Sequence, residues 1–142
     1  MPHSTIINVR GYHCDFYGHV NNARYLELLE EARWQYLEAG MDLSYWEERG
    51  LGFVVVSVTI NFRRPASPGV TLEILSQTTK LEGRSGVIHQ DVINRQTGKA
   101  VADADVTFAV INLKTGRAEA MTGEVLAGFE AIRESDSQEK SS

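Results

Sequence analysis

The chain has 142 residues, 42% of them hydrophobic and 23% charged, and its formal net charge at pH 7 is −5. These values are typical of one globular domain with a modest core, and the acidic balance argues against a nucleic-acid surface, which usually needs a clustered excess of Lys and Arg. The single cysteine excludes an internal disulfide and a cysteine-rich metal cluster, and no apolar run approaches the roughly 18 residues of a membrane-spanning helix.

The N-terminal residues predict a strand. Residues 4–9 are partly β-branched and are followed by Gly11, as at the end of a strand. The opening "MPHSTIINVR" lacks the basic start and the continuous apolar core of a secretory signal, so we expect a cytoplasmic protein. Residues 12–21 show neither helical nor strand periodicity, which indicates a loop.

Residues 23–39 predict a long helix that is buried on several sides. Apolar residues recur at spacings of three and four, starting with Tyr25, and further leucines widen this stripe. Asn21 or Asn22 is suitable as the N-cap. Gly40 lies where a residue in the left-handed conformation commonly ends a helix.

The second half of the chain predicts a meander of antiparallel strands. Turns rich in Gly and Pro separate four long strands, at residues 53–62, 70–81, 87–93 and 100–111. In the first of these strands, one apolar face is predicted to hold Val54, Val56, Val58, Ile60 and Phe62. An antiparallel sheet wrapped around one long helix is an α+β architecture. One helix cannot cover so much apolar sheet, so we expect self-association.

Two short helical segments and a tail complete the prediction. Residues 42–50 and 126–132 predict short helices. Residues 134–142, "ESDSQEKSS", predict a solvated, disordered tail, because they contain almost no apolar side chains. Residues 1–133 are therefore predicted to form a single domain.

Asp15 and His19 lie in a loop that leads directly into the N-terminus of the long helix. Unpaired backbone N–H groups and the helix dipole favour negative charge at such a place. A carbonyl oxygen pointing at these groups, with Asp15 beside it as general base or nucleophile, would provide the parts that carbonyl hydrolysis requires. The simpler alternative is that the acid and the two asparagines only cap the loop and the helix.

The same stretch also contains possible metal ligands and a thiol. His13, Cys14, Asp15 and His19 do not follow a standard zinc spacing, so we expect no metal. Nothing in the sequence marks Cys14 as a nucleophile, and packing is the expected role of its side chain.

The stretch "DFYGHVNNARYL" resembles the signature of the hotdog-fold acyl thioesterases, the 4-hydroxybenzoyl-CoA thioesterase-like family. The likeness continues through "NFRRPASPGVTLEI", "EGRSG" and "VADADVTFAVINLKTGR", and it covers approximately residues 5–117. The resemblance implies a hotdog fold, with the long helix wrapped by the sheet. It also implies a homodimer, possibly a homotetramer, with active sites at the interface between protomers, an acyl-CoA or acyl-carrier-protein substrate, and no cofactor.

The resemblance also implies catalytic residues. The aspartate of the family corresponds to Asp15, and the backbone amide at the start of the helix, at Asn22, corresponds to the oxyanion donor. His19 and Asn21 match the "GHVNN" form of the motif and are expected to orient the loop or the substrate, His19 as a catalytic residue and Asn21 as a substrate-binding one. Plant acyl-carrier-protein thioesterases carry an asparagine where this chain has Tyr17, so the full acid, amide and histidine set of those enzymes does not transfer.

Two further groups of residues are predicted to bind the substrate. The acyl group is predicted to contact Tyr17, Tyr25, Val56 and Val58. The phosphates of CoA need cations or hydroxyl groups near the surface, and the candidates are Arg63, Arg64, Arg84 and Ser85. Arg84 and Ser85 match the Gly-Arg-Ser turn of the family. Arg63 and Arg64 are more simply interpreted as arginines exposed to solvent.

Several alternatives remain open at this point. A second carboxylate on the helix, Glu30, competes with Asp15 as the catalytic acid, although an ion pair with Arg33 is the preferred interpretation. A hotdog hydratase or dehydratase also uses Asp and His, but the four-residue spacing of Asp15 and His19 in the "GHVNN" context favours hydrolysis. A non-catalytic acyl-CoA binding module is the remaining alternative.

Overall fold

The computed structural model describes residues 2–138, which form one five-stranded antiparallel sheet and three α-helices. The strands are β1 (His3–Asn8), β2 (Leu51–Phe62), β3 (Thr71–Glu82), β4 (Ser85–Asn94) and β5 (Ala100–Asn112), and the helices are α1 (Asn22–Gly40), α2 (Leu43–Glu48) and α3 (Gly123–Gln138). The strand order in the sheet is β1-β3-β4-β5-β2, so β1 and β2 are its edges. The predicted α+β class is confirmed.

Helix α1 begins as predicted but ends differently. The N-cap is Asn21, whose side-chain oxygen accepts a hydrogen bond from the Ala23 N–H at 2.8 Å. The prediction that Gly40 ends the helix in the left-handed conformation is wrong, because Gly40 is the last helical residue and Met41 continues in an extended conformation. A side chain at position 40 would clash with Ile132. Glycine therefore allows α3 to pack closely against the end of α1.

A β-bulge divides β2 into two halves of opposite phase. Val55 pairs with Phe108 and Ser57 pairs with Thr107, so Val56 is an extra residue. The predicted common face is therefore wrong for the first half of the strand. Phe53 packs into the core before the bulge and Val58 and Ile60 after it, whereas Val56 is 59% exposed. Periodicity in the sequence does not reveal a bulge when the bulged residue is another valine.

The core between the helices and the sheet consists of two clusters. One lies under the first half of α1 and includes Tyr25 and Leu29, together with inward-facing residues of β3 and β5. The other lies under the second half and contains Phe108 of β5 stacked on Phe129 of α3, with ring centroids 4.9 Å apart. Burial of one such phenylalanine stabilises the fold by about 1.5–3 kcal/mol.

The structure differs from the predicted C-terminal tail, because α3 continues through residues 134–138. The Asp136 carboxylate accepts hydrogen bonds from the Tyr36 hydroxyl at 2.7 Å and from the Thr78 backbone N–H at 3.0 Å. Arg133 donates to the Thr79 carbonyl at 3.1 Å. A second bulge lies between Thr78 and Lys80 of β3, where the pairing with β4 is irregular. Side chains of α3 thus bind backbone groups of β3 beside this bulge. Residues 139–142 lie outside the described residues.

Candidate active site

The loop before α1 is a tight turn that presents Asp15. The ends of the loop are joined by a bridge between Cys14 and Val20, and the Asp15 N–H donates to the His19 carbonyl at 2.8 Å. The Gly18 N–H donates to the Asp15 carbonyl at 3.0 Å, and its φ of 77° lies in the left-handed region that favours glycine. The position of Asp15 is therefore determined by backbone contacts within the loop.

The two carboxylate oxygens of Asp15 have different surroundings. Its Oδ1 accepts hydrogen bonds from the backbone N–H of Tyr17 at 2.9 Å and of His19 at 3.4 Å. Its Oδ2 has no hydrogen-bond partner among residues 2–138. Asp15 thus closes the loop with one oxygen and leaves the other available, and it does not cap the helix, since Asn21 does so.

The first amide of α1 is also available. The Asn21 N–H donates to the His13 carbonyl at 2.9 Å, and the Ala23 N–H donates to the Asn21 side chain. The Asn22 N–H, between them, has no partner in the described part of the chain. It lies at the positive end of the helix dipole, where a partly negative oxygen is favoured.

An open cavity of about 300 Å³ brings half of the predicted site residues together, six of the twelve. Its lining consists of Asp15, His19, Val20, Asn22, Tyr25, Phe62, Arg63, Arg64 and Pro65. The Tyr25 and Phe62 rings lie 5.5 Å apart and form an aromatic wall. Burial, together with the nearby Cys14 thiol, raises the pKa of Tyr25 to about 12, so its phenol is neutral at physiological pH.

Sequence reasoning missed Phe62 as a site residue. It was assigned only to a strand face, although its position immediately before two arginines placed it at a strand end. The sequence signal that could identify Phe62 is its position at the end of a strand, next to the two arginines predicted to bind an anion.

The two arginines of the cavity have different partners. Arg63 donates through Nε to the Asp103 carboxylate at 2.8 Å, and this hydrogen bond lowers the pKa of Asp103. Arg64 donates to the Ala100 carbonyl at 2.8 Å and has no acidic partner within the described residues. Arg64 therefore retains a positive charge that an anionic ligand can use.

The remaining predicted binding residues do not lie in this cavity. Arg84 and Ser85 lie at or beside the turn between β3 and β4, and the register of β5 places Ser85 about 23 Å along the sheet from Phe62, since their partners Ala109 and Ala102 are seven residues apart. Tyr17 is part of the loop but its side chain is exposed to solvent, and Val56 is the bulged residue of β2. Val58 is half-buried and packs against the first core cluster. None of these five residues lines the cavity within one protomer, and neither does Asn21, whose side chain caps α1 instead.

The contacts of Cys14 and of Arg33, the expected partner of Glu30, bear on the alternative roles considered for Cys14 and Glu30. The Cys14 thiol donates to the Arg10 carbonyl at 3.6 Å and packs against the core. The expected ion pair between Glu30 and Arg33 is not present among the described residues, because Arg33 donates instead to Gln90 Oε1 at 3.1 Å. Burial lowers the pKa of Arg33, and the nearby Glu30 carboxylate opposes this effect. Residues 2–138 contain no group of side chains arranged to hold a metal ion.

An antiparallel sheet around one long helix, with an acidic loop at the N-terminus of that helix, defines a hotdog-fold protein. The structure matches that of YbaW, a probable thioesterase from Escherichia coli, with a TM-score of 0.85 and 47% identity over 91% of this chain and 97% of that chain. A 1,4-dihydroxy-2-naphthoyl-CoA thioesterase from Synechocystis shares the fold, with a TM-score of 0.79 at 17% identity over 89% of this chain and 93% of that chain. The hotdog fold is therefore confirmed.

The model of the thioesterase-like superfamily matches residues 9–129. The long-chain acyl-CoA thioesterase FadM of Escherichia coli (strain K12) is 50% identical over 128 residues, which cover 90% of this chain and 97% of that protein. The chain belongs to the thioesterase-like superfamily. None of the helices in the described part of the chain is both long and apolar enough to cross a membrane.

Proposed function

We propose that this protein hydrolyses acyl-CoA thioesters to a free acid and CoA. The observation that carries the proposal is that Asp15, with one unpartnered carboxylate oxygen, and Asn22, with an unpartnered backbone N–H, line the same cavity. The 50% identity with a long-chain acyl-CoA thioesterase supports the same reaction and favours a long acyl group.

In the proposed mechanism, the thioester carbonyl oxygen accepts a hydrogen bond from the Asn22 N–H. This donor and the dipole of α1 stabilise the negative charge that develops on the oxygen as the tetrahedral state forms. In one route, Asp15 Oδ2 takes a proton from the attacking water, the C–S bond breaks, and the same proton passes from Asp15 to the departing sulfur, which leaves as a thiol. In the other route, Oδ2 attacks the carbonyl carbon and the thiolate leaves and takes a proton from water; a second water then hydrolyses the acyl anhydride, which releases the acid and restores Asp15. His19 fixes Asp15 through its backbone N–H, and Asn21 fixes Asn22 by capping the helix.

We propose that the CoA phosphates bind at the arginine side of the cavity. Arg64 offers a charge without an acidic partner, whereas Arg63 shares its charge with Asp103. Arg84 and Ser85 reach a site only in an assembly that brings a second protomer to the cavity. A carrier-protein substrate would use the same cations, because its prosthetic group also carries a phosphate.

We propose a homodimer formed through β2. This edge strand, "LGFVVVSVTINF", contains no charge and no proline, two of the features that prevent an edge from pairing, and its one protective feature is the bulge at Val56. Val55, Val56 and Phe62 are exposed along it. A two-fold pairing of two copies satisfies the free backbone groups and buries these side chains. A homotetramer and a cytoplasmic location stay predictions from the sequence.

Thiol release from a panel of short, long and aromatic acyl-CoAs tests the proposed function. The wild type should hydrolyse at least one class, and Asp15→Asn should lower kcat/KM by about 10²–10⁴-fold, a typical contribution of a general base or nucleophile. Folding should be unaffected, since an amide oxygen still accepts the two backbone hydrogen bonds of Oδ1. A folded wild-type protein that hydrates enoyl-CoA, or only binds acyl-CoA, would contradict the proposal.

A further inference from the structure

A second cavity lies at the β1 edge of the sheet, between the start of β1 and the C-terminal halves of α1 and α3. Its volume is about 260 Å³, close to that of the Asp15 cavity. A single water needs only about 10–15 Å³ of such space, so this cavity is large enough for a small molecule. Three polar and three apolar side chains contribute to its lining, His3, Tyr36 and Asp136 and then Ala39, Ala131 and Ile132. We call it the Asp136 cavity.

The Asp136 cavity is separate from the Asp15 cavity. They share no lining residue, and they lie at opposite edges of the sheet, one at the start of β1 and the other at the end of β2. From Asn22 to Tyr36, α1 rises about 21 Å. The Asp136 cavity also lies away from β2, the strand through which we propose that the dimer forms. A ligand in it is therefore neither the reacting thioester nor a group at the proposed interface between protomers.

The Asp136 carboxylate has one oxygen without a hydrogen-bond partner among residues 2–138. Its Oδ2 accepts the hydrogen bonds from Tyr36 and Thr78, whereas none of these residues donates to its Oδ1. Asp136 is nevertheless only 7% exposed. Burial raises the pKa of its carboxyl group, and the hydrogen bonds from Tyr36 and Thr78 offset only part of this shift. A buried carboxylate oxygen of this kind is favoured when a donor reaches it.

His3 supplies a second unpartnered atom. Its ring nitrogen Nδ1 is buried and has no hydrogen-bond partner in the described part of the chain. Burial lowers the pKa of His3 more than the charge of Asp136 raises it, so the ring is neutral at physiological pH. In the tautomer with the proton on Nε2, Nδ1 is an acceptor. No Lys or Arg of the described residues lines the cavity, which thus offers two acceptors and a negative charge without a matching donor.

We propose that the Asp136 cavity binds a small primary alkylammonium ion. The ammonium group donates hydrogen bonds to Asp136 Oδ1 and His3 Nδ1, and the short alkyl group contacts the apolar part of the lining. A primary ammonium has three N–H donors, whereas a quaternary ammonium has none. The carboxylate repels the phosphates of CoA and the carboxylate of a free acid. The ligand is therefore chemically distinct from the substrate and product of the proposed reaction, and the inference does not depend on that reaction.

Titration calorimetry with n-butylammonium chloride is the first test, in phosphate buffer because amine buffers would compete. The folded wild type should bind n-butylammonium. It should not bind tetramethylammonium, which has the charge without an N–H, or butan-1-ol, which has the chain without the charge. Absence of n-butylammonium binding, or equal binding of all three compounds, would overturn the proposal.

Asp136→Asn tests the carboxylate. The amide oxygen can still accept from Tyr36 and Thr78, but an NH2 donor takes the place of Oδ1. Affinity for n-butylammonium should fall at least about tenfold, as expected for the loss of one hydrogen bond to a charged group. Glu38→Gln is the matched control, because it removes an exposed carboxylate of α1 that does not line the cavity. Equal affinities of the two variants would overturn the proposal.

Two further variants test the cavity with the carboxylate in place. His3→Phe keeps a ring beside Tyr36, whose ring centroid is 5.9 Å from that of His3, but removes Nδ1, so affinity should fall. Ala131→Trp fills the cavity and should abolish binding. Unchanged affinity in folded Ala131→Trp would place the ammonium ion elsewhere on the protein and overturn the proposal.

Ligand binding should also stabilise the folded chain. Because n-butylammonium binds the native state, it should raise the midpoint of urea denaturation for the wild type and not for Asp136→Asn. Tetramethylammonium chloride at the same concentration controls for the general effect of salt. An equal rise with both salts would overturn the proposal.

The amino terminus of the chain is the competing donor, since its positive charge also lowers the pKa of Asp136. If that group replaces the ligand, n-butylammonium should bind only to protein produced with an acetylated amino terminus. That result would overturn the proposal of a site for a separate molecule. Equal affinity with and without acetylation would support it.

Discussion

The carboxylate of Asp136 and the hydroxyl of Tyr36 lie 2.7 Å apart, although 100 residues separate them in the chain. The same Tyr36 oxygen lies 2.7 Å from Thr78 Oγ1, so the hydroxyl joins α1, α3 and β3. All three residues are buried. This group connects the last described turns of the chain to the central helix, and through that helix to the end of the active-site loop.

Removal of the Tyr36 hydroxyl should destabilise the fold. Tyr36→Phe leaves Asp136 and Thr78 without one of their hydrogen-bond partners in a buried place, and the free energy of unfolding should fall by about 1–3 kcal/mol in urea denaturation. Tyr12→Phe, at an exposed position, is the matched control and should change little. An equal loss in both variants would show that the buried network does not contribute.

Asp136 should give the stability a defined pH dependence. Burial raises the pKa of its carboxyl group, and the hydrogen bonds from Tyr36 and Thr78 offset part of this shift. Between the usual Asp pKa of about 3.9 and the raised folded value, the native state retains a proton that the unfolded chain has lost. The free energy of unfolding should therefore fall as pH rises through this window.

Asp136→Asn isolates this effect, because an amide oxygen can accept the same hydrogen bonds but does not titrate. Urea denaturation at a series of pH values should give a flatter profile for Asp136→Asn than for the wild type. Parallel profiles would show that Asp136 does not titrate differently in the folded and unfolded states.

The Asn22 amide can be removed without removing the helix. Proline is favoured at the first helical position, and Asn21, with φ −65° and ψ 141°, already has the conformation that a residue before proline prefers. Asn22→Pro should lower kcat by about 10²–10³-fold, as the loss of an oxyanion donor does, while stability changes little. Asn22→Ala keeps the N–H, so the difference between the two variants measures the amide. Similar rates in both would exclude Asn22 as the donor.

Arg64 should contribute to binding of CoA but not of the acyl group. Arg64→Gln removes the guanidinium charge, which has no acidic partner among the described residues. KM for acyl-CoA should rise by about tenfold, as expected for the loss of one hydrogen bond to a charged group. KM for the matching acyl-pantetheine, which has no phosphate, should not change. An equal effect on both substrates would show that Arg64 acts on the shape of the cavity rather than on phosphate.

Much of the site was predictable because it is local in sequence. The loop, the N-cap and the first turn of α1 lie within about ten residues, and their contacts are largely with each other, so a short motif determines them. The class of fold followed from a change of hydrophobic period, since helix and strand patterns are long and clear in this chain. The site residues Asp15, His19, Asn22 and Tyr25 indeed line one cavity.

The errors arose where distant parts of the chain decide the structure. Gly40 is explained by its contact with Ile132, and the length of α3 by contacts of Asp136 with Tyr36 and Thr78. None of these partners is near in sequence. The polar composition of residues 134–138 predicted a tail because composition does not show that a single buried carboxylate binds two other elements.

The extra residue at Val56 has a consequence for the length of β2. Because side chains alternate with a period of two, deletion of Val56 itself would remove the bulge and leave Phe53 and Ile60 facing the core, whereas deletion of a residue elsewhere in β2 would exchange the inner and outer side chains of part of the strand. Replacement of Val56 by another residue changes only one exposed side chain. Natural variation in this strand should therefore include substitution or loss of the residue at position 56, but no single-residue deletions elsewhere in the strand.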